Sequence, residues 1–183
     1  MKRLTVDDVM KYNPCHDKAT LKSFLPPGRK ALTILEIFEL QDVPINDRLW
    51  VGFHYIGNRN SVEIACEIAR DVLPIFAAKY PEDKRPERTI KTAEKCLRGE
   101  ISASDAVDAV KDADDADAVN AATAVANVAR AASCVGSVVC TISIVRVVDA
   151  AATAADAADA ANAAEYKQAC LDYLAMRILE NEL

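Results

Sequence analysis

The sequence predicts an all-α fold: short N-terminal helices packed on two long alanine-rich helices and a C-terminal helix. Three observations carry this prediction. Apolar residues recur at helical rather than alternating spacing, helix start and stop signals punctuate the first hundred residues, and 24 alanines fall between Glu100 and Glu165. The 5 glycines leave little turn chemistry for an all-β fold. A chain of 183 residues can bury a core as one domain, here divided into a short-helix half (1–99) and an alanine-rich half (100–183). With only 5% aromatic residues, that core relies on close helix contact rather than on large side chains.

Taken in order, Thr5 and Asp8 form a capping-box-like start for a helix ending at Asn13-Pro14. A second short helix is expected from Asp17 to Leu25, where Pro26-Pro27-Gly28 interrupts it. Thr33 and Glu36 make a further capping box, opening a helix that stops near Gln41 because Pro44 follows. Asn46 is the expected cap of the next helix, with Leu49, Trp50 and Phe53 facing inward and Gly57 as its stop. Another helix is expected from Asn60, with Ile64, Ala65, Ile68, Ala69 and Val72 at helical spacing and Pro74 kinking or ending it. Ile75 and Phe76 continue its apolar face. Pro86 suits the first turn of a helix whose Ile90, Ala93 and Leu97 turn inward before Gly99 closes it.

Beyond Gly99 the composition changes. Ser102 to Asp105 caps a long alanine-rich stretch, and alanine both favours helix and permits close backbone approach. Disorder is the competing reading of such low complexity, opposed by the helical period of Val107, Val110, Val125 and Val128. The break between the two long helices falls at Ser133 to Ser137, around Gly136. The β-branched run Val138 to Val145 could form a strand, but it continues without a turn signal into Asp149 to Asp156, which favours a buried helix. A membrane span is disfavoured because the uncharged stretch from Ala131 to Val145 is short and carries hydroxyls and thiols. Glu165 to Leu183 forms the last helix, with Tyr166, Leu171, Leu174, Ile178 and Leu179 as packing candidates.

The N-terminus lacks the apolar core of a secretory signal, which predicts a chain that starts at Met1 and stays in the cytoplasm. Six cysteines without a CxxC pair fit reduced, mostly buried thiols better than a disulfide framework. The spacing of the two histidines offers no zinc site: His16 follows Cys15 directly and reads as a loop residue, and His54 lies one helical turn from Trp50. Gly-rich phosphate loops, nucleophile elbows and HExxH helices are missing from the sequence, so an enzyme reading has no positive support, and neither cofactor nor metal is expected.

Charge is the more informative feature. The net charge of -6 is concentrated: from Glu100 to Glu165, eleven acidic residues face three basic ones, a balance of -8 that leaves +2 for the rest. Attraction to nucleic-acid phosphate or anionic membrane is disfavoured there. Asp105, Asp108, Asp112 and Asp115 fall on one helical face, as do Asp149 and Asp156. A solvated face accounts for any one of these aspartates, while the set together reads as an acidic ridge that docks a basic partner. Asp114 would sit on the apolar side of a straight helix, which predicts a local break or a buried carboxylate paired with Arg130 or Arg146. A basic cluster, Lys84, Arg85, Arg88, Lys91 and Lys95, is a candidate for phosphate or small-ligand binding, but its interleaved Glu82, Asp83, Glu87 and Glu94 also fit an ordinary solvated surface.

The order of these pieces resembles a family of alanine-rich helical immunity proteins of bacteria and phages. The resemblance rests on Asp47 to Val51, Ala65-Cys66 through Ala69, Val72 to Phe76, Tyr80-Pro81, Asp83, Arg85-Pro86, Ala93 and Gly99-Glu100, and it spans roughly Thr33 to Ala164. It implies a non-enzymatic protein that neutralises a toxin, nuclease or defence effector by binding it, as an immunity protein or a phage counter-defence inhibitor. The aspartate-rich run from Asp105 to Asp117 departs from the family's arginine-bearing pattern. The alternative expectation is a helical protein that sequesters a small ligand or nucleotide signal on the basic cluster. Exposed alanine ridges also favour homo-oligomers.

Overall fold

The computed structural model describes residues 1–102 and 163–182. The described residues are mostly helical, with one small sheet that helical periodicity did not announce. Strand β1 (Arg3–Thr5) pairs antiparallel with β2 (Ala31–Thr33) in the register Arg3 with Thr33, Leu4 with Leu32 and Thr5 with Ala31. Leu4 and Leu32 face each other and are both buried, so the pair is held by its one inward position.

Each strand runs straight into a helix through its last threonine. Thr5 opens α1 (Val6–Met10) and Thr33 opens α3 (Ile34–Phe38), both with extended backbone, and both complete the expected capping boxes with Asp8 and Glu36. A β-branched residue suits the strand end, and its hydroxyl suits the cap, so one side chain serves both elements. The Thr33 backbone and the Arg29 guanidinium lower the Glu36 pKa. Helix α2 (Lys18–Ser23) lies between the strands and is capped by Asp17 as expected, though it ends at Ser23, short of Leu25.

Helix α4 (Ile45–Ile56) starts two residues earlier than the Asn46 cap predicts. Pro44 occupies the cap position, and its carbonyl accepts from the amides of Asp47 (3.0 Å) and Arg48 (3.2 Å). Proline suits this place because it has no amide hydrogen to leave unsatisfied. Gly57, at φ 81°, ends α4 in a region that a side chain would strain. Helix α5 (Asn58–Lys79) begins at once, earlier than Asn60, and does not end at Pro74, whose ring is exposed. The Ser61 hydroxyl pins the bend, lying 2.8 Å from the carbonyl oxygens of both Phe53 and Gly57.

Helix α6 (Arg85–Arg98) carries Pro86 in its first turn and ends at left-handed Gly99, as expected. The last described helix, α7 (Ala163–Glu182), buries Cys170, Leu171, Leu174 and Ile178 but leaves Leu179 exposed. Helix α4 is the centre of this arrangement: α3, α5 and α7 all pack against it, and α6 packs on α5. Phe53, Leu49, Ile34, Ile64, Leu171 and Leu174 are all fully buried in one core. The Arg48 guanidinium is buried among them and donates from Nη1 to the carbonyl of Phe38 (2.6 Å), tying α4 to the end of α3.

The two long alanine-rich helices, the Gly136 break, the environment of Asp114 and the helix-or-strand choice at Val138 to Val148 all lie outside the described residues. So do the side chains of Val72, Ile75, Phe76 and Tyr166.

Candidate functional site

Two features of the described structure bear on function: a cavity in the N-terminal layer and the outward face of α7. The cavity has a volume of about 380 Å³ and lies between the two-stranded sheet, α1, α2 and the start of α4. Its walls are apolar, including Leu4, Val9, Leu21, Phe24, Leu32 and Val43, and its polar rim carries Asn13, Cys15, His16, Asn46 and Asp47.

Chain geometry builds that rim. Helix α1 ends at Met10, short of the expected Asn13-Pro14; beyond it Asn13 takes φ 56°, a left-handed conformation that asparagine tolerates, and Pro14 follows, so the chain turns into Cys15-His16. Asp47 arrives from the first turn of α4, where the helix dipole favours a carboxylate. His16 Nε2 meets Asp47 Oδ2 at 2.9 Å across a separation of 31 residues. The thiol of Cys15, the imidazole and the carboxylate offer donor atoms within 4.8 Å of one another. His16 lies in a loop as expected, and Asp47, invisible to local spacing, joins it in a polar cluster.

His54 has a different role. It stacks parallel on Tyr12 (centroids 4.7 Å, 5°) and edge-on to Trp50 (4.3 Å), so the expected Trp50 contact is present, with Tyr12 added from α1's end. Burial lowers the His54 pKa to about 4, against an ordinary 6.5. The unfolded chain therefore binds a proton that the folded chain refuses between those values, and stability falls as pH drops through that window. Between pH 7 and pH 5 the loss is about 2 kcal/mol from this group. Urea denaturation at the two pH values should show it, and His54→Phe, which keeps the ring stack, should remove most of the difference.

Away from the cavity lining, Glu67 of α5 joins α7. The Tyr173 hydroxyl donates to Glu67 (2.5 Å), and Arg177 Nη1 donates to both Glu67 oxygens (3.2 and 3.3 Å) and to the Tyr173 oxygen (2.9 Å). With its inner edge held so, α7 turns Glu165, Asp172 and Glu180 outward together with two large apolar side chains, Met176 (45% exposed) and Leu179 (46% exposed). This is a carboxylate-bearing surface with apolar anchors, a combination suited to protein contact.

The sequence-predicted acidic ridge, Asp105, Asp108, Asp112, Asp115, Asp149 and Asp156, lies outside the described residues. Of the basic cluster, Lys84, Arg88, Lys91 and Lys95 are exposed on or beside α6, and the Arg85 side chain is outside the described set. Lys91 donates to Glu87 one turn away (2.6 Å), and Arg70 pairs with Glu94, so the interleaved carboxylates take up part of the positive charge. A second, more open crevice is basic, lined by Lys18, Lys22, Arg29 and Lys30. Neither cavity is lined by the α6 cations. Cys15, Cys66, Cys96 and Cys170 are not in disulfides, and no helix of the described residues is long and apolar enough to cross a membrane.

The described body is helical, and its last helix exposes carboxylates together with large apolar side chains. Residues 58–178 match the model of the Imm-5 like putative immunity protein family, and the chain belongs to that family. The match starts later than the resemblance at Thr33 and runs further, from the start of α5 through most of α7. The N-terminal cavity and its rim lie outside it. No curated protein and no solved structure matches the chain.

Proposed function

We propose that this protein neutralises a protein effector by binding it stoichiometrically, and that it does so through carboxylates presented on helices. The observation that carries the reading is the family match over residues 58–178, which contains both the -8 segment of the sequence and most of α7. The contact is built from Asp105, Asp108, Asp112, Asp115, Asp149 and Asp156 against a basic surface on a toxin, nuclease or defence protein. The exposed α7 face, where Met176 and Leu179 stand among Glu165, Asp172 and Glu180, supports an extension of the same contact.

Opposite charge across such an interface speeds encounter and selects the partner, and its rim is screened by salt. The test is reconstitution with a candidate effector found by affinity capture and mass spectrometry, followed by titration of the purified pair. A one-to-one complex that abolishes effector activity is expected, with affinity falling as salt rises. Changing Asp105, Asp108, Asp112 and Asp115 together to asparagine should weaken it by about tenfold or more, since each tenfold is only about 1.4 kcal/mol. A complex indifferent to both salt and this variant would overturn the acidic-ridge reading. Tight nucleotide binding by the free chain, lost on changing Lys84, Arg88, Lys91 and Lys95, would instead favour a ligand-sequestering role.

A further inference from the structure

The rim of the N-terminal cavity brings together a thiol, an imidazole and a carboxylate that the immunity reading does not use. Two arrangements of such a trio are chemically meaningful, and the distances separate them. In a nucleophilic relay, thiol and carboxylate bond opposite edges of the imidazole and stand roughly 7 Å apart, the ring and two hydrogen bonds between them. Here the three donor atoms lie within 4.8 Å of one another, so they converge on one point instead of lining up across the ring.

We propose that Cys15, His16 and Asp47 form a three-ligand site for a divalent cation of the zinc class, with the fourth coordination position turned to the apolar cavity. The donor types select the ion. A thiolate with an imidazole suits zinc and is a poor match for calcium or magnesium, which take oxygen ligands. The charges balance as well: one thiolate and one carboxylate offset a dication, so the filled site is neutral where it borders apolar walls.

Geometry asks for little movement. Zinc with sulfur, nitrogen and oxygen ligands sets donor atoms roughly 3.3–3.7 Å apart, so the 2.9 Å contact of His16 with Asp47 opens by under an ångström while the thiol closes in. Cys15 is exposed, and Asp47 is placed by the first turn of α4. All three residues line the cavity, so a fourth ligand would enter from that side. Other described thiols compete weakly: burial pushes Cys66 and Cys170 up to about 12. The site belongs to residues outside the family match, so it is a property of this chain's N-terminal layer.

The test is titration of the full chain with zinc alone in competition with a chromophoric chelator, paired with the absorption spectrum after cobalt substitution. One ion per chain is expected, with a thiolate-to-cobalt charge-transfer band and a rise in Tm on adding zinc, since binding to the native state alone stabilises it. Cys15→Ser should remove the band and weaken binding by more than the about 10–100-fold that loss of an outer-sphere partner costs, and Asp47→Asn should weaken it as well. Cys96→Ser should leave both readouts unchanged. Binding that survives Cys15→Ser, a cobalt spectrum without the thiolate band, or a chain that leaves all zinc with the chelator would each overturn the proposal. Circular dichroism of the variants separates a lost ligand from a lost fold.

Discussion

Gly52→Val is expected to destabilise the protein by about 3 kcal/mol, read as a fall in the urea midpoint at unchanged slope. Gly52 sits inside α4, where glycine ordinarily costs helix stability, so a reason must lie in packing. A Cβ built there would stand 2.6 Å from Cδ2 of Leu174 and 2.7 and 2.9 Å from two ring carbons of Phe38. Both neighbours are buried, Leu174 completely, and a phenyl ring between packed helices has no free direction in which to retreat. Valine brings two further carbons on a stiff β-branched stem and would force α7 and α3 away from α4. Alanine at the same position should cost only about 1 kcal/mol, because its better helix propensity offsets about 1 kcal/mol of the crowding. A valine variant as stable as the parent would mean that α7 does not sit on α4 at this distance.

What the sequence disclosed divides along a physical line. Caps and stops were legible because their chemistry is local: Thr5 with Asp8, Thr33 with Glu36, Gly57 and Gly99 each act within a few residues of themselves. The sheet was not, because two three-residue strands are too short for an alternating pattern and find each other only across the intervening α1 and α2. Pro74 was expected to kink or end its helix, and of the two the ending is overturned: its penalty is a single backbone bond and a ring that can face solvent, and a helix long enough on both sides absorbs that. The candidate cluster was half visible. Cys15-His16 stood as neighbours, but Asp47 reaches them only once the Asn13-Pro14 turn and the start of α4 are in place. Gly52 gave no signal either: a lone glycine in a helix looks like a weakness until the neighbour that needs the space is known. The resemblance that pointed to the family rested on caps, core residues and alanine content, which explains why it named a class without naming a site.

Leu174→Ala should cost about 3–4 kcal/mol, comparable to the valine insertion but by the opposite route. Leu174 is fully buried, lies within the family-matched segment, and reaches across to Gly52 of α4 and so to the N-terminal layer outside that segment. Removing its isobutyl group deletes contacts on both sides of that boundary and leaves a void that two packed helices cannot close. The same geometry makes a sharper prediction. In the double variant Gly52→Ala with Leu174→Ala, the alanine methyl at position 52 loses its closest clash, that with Leu174 Cδ2, while its contact with the Phe38 ring and its helix preference remain. The double variant should therefore be more stable than the sum of the two single losses by about 1 kcal/mol, a coupling of the size found for residues in direct contact. Simple additivity in that cycle would show that the two positions do not touch. Coupling would establish that the helix of the N-terminal layer and the family-matched α7 pack directly on each other at this contact, so that strain on either side of the boundary is felt by the other.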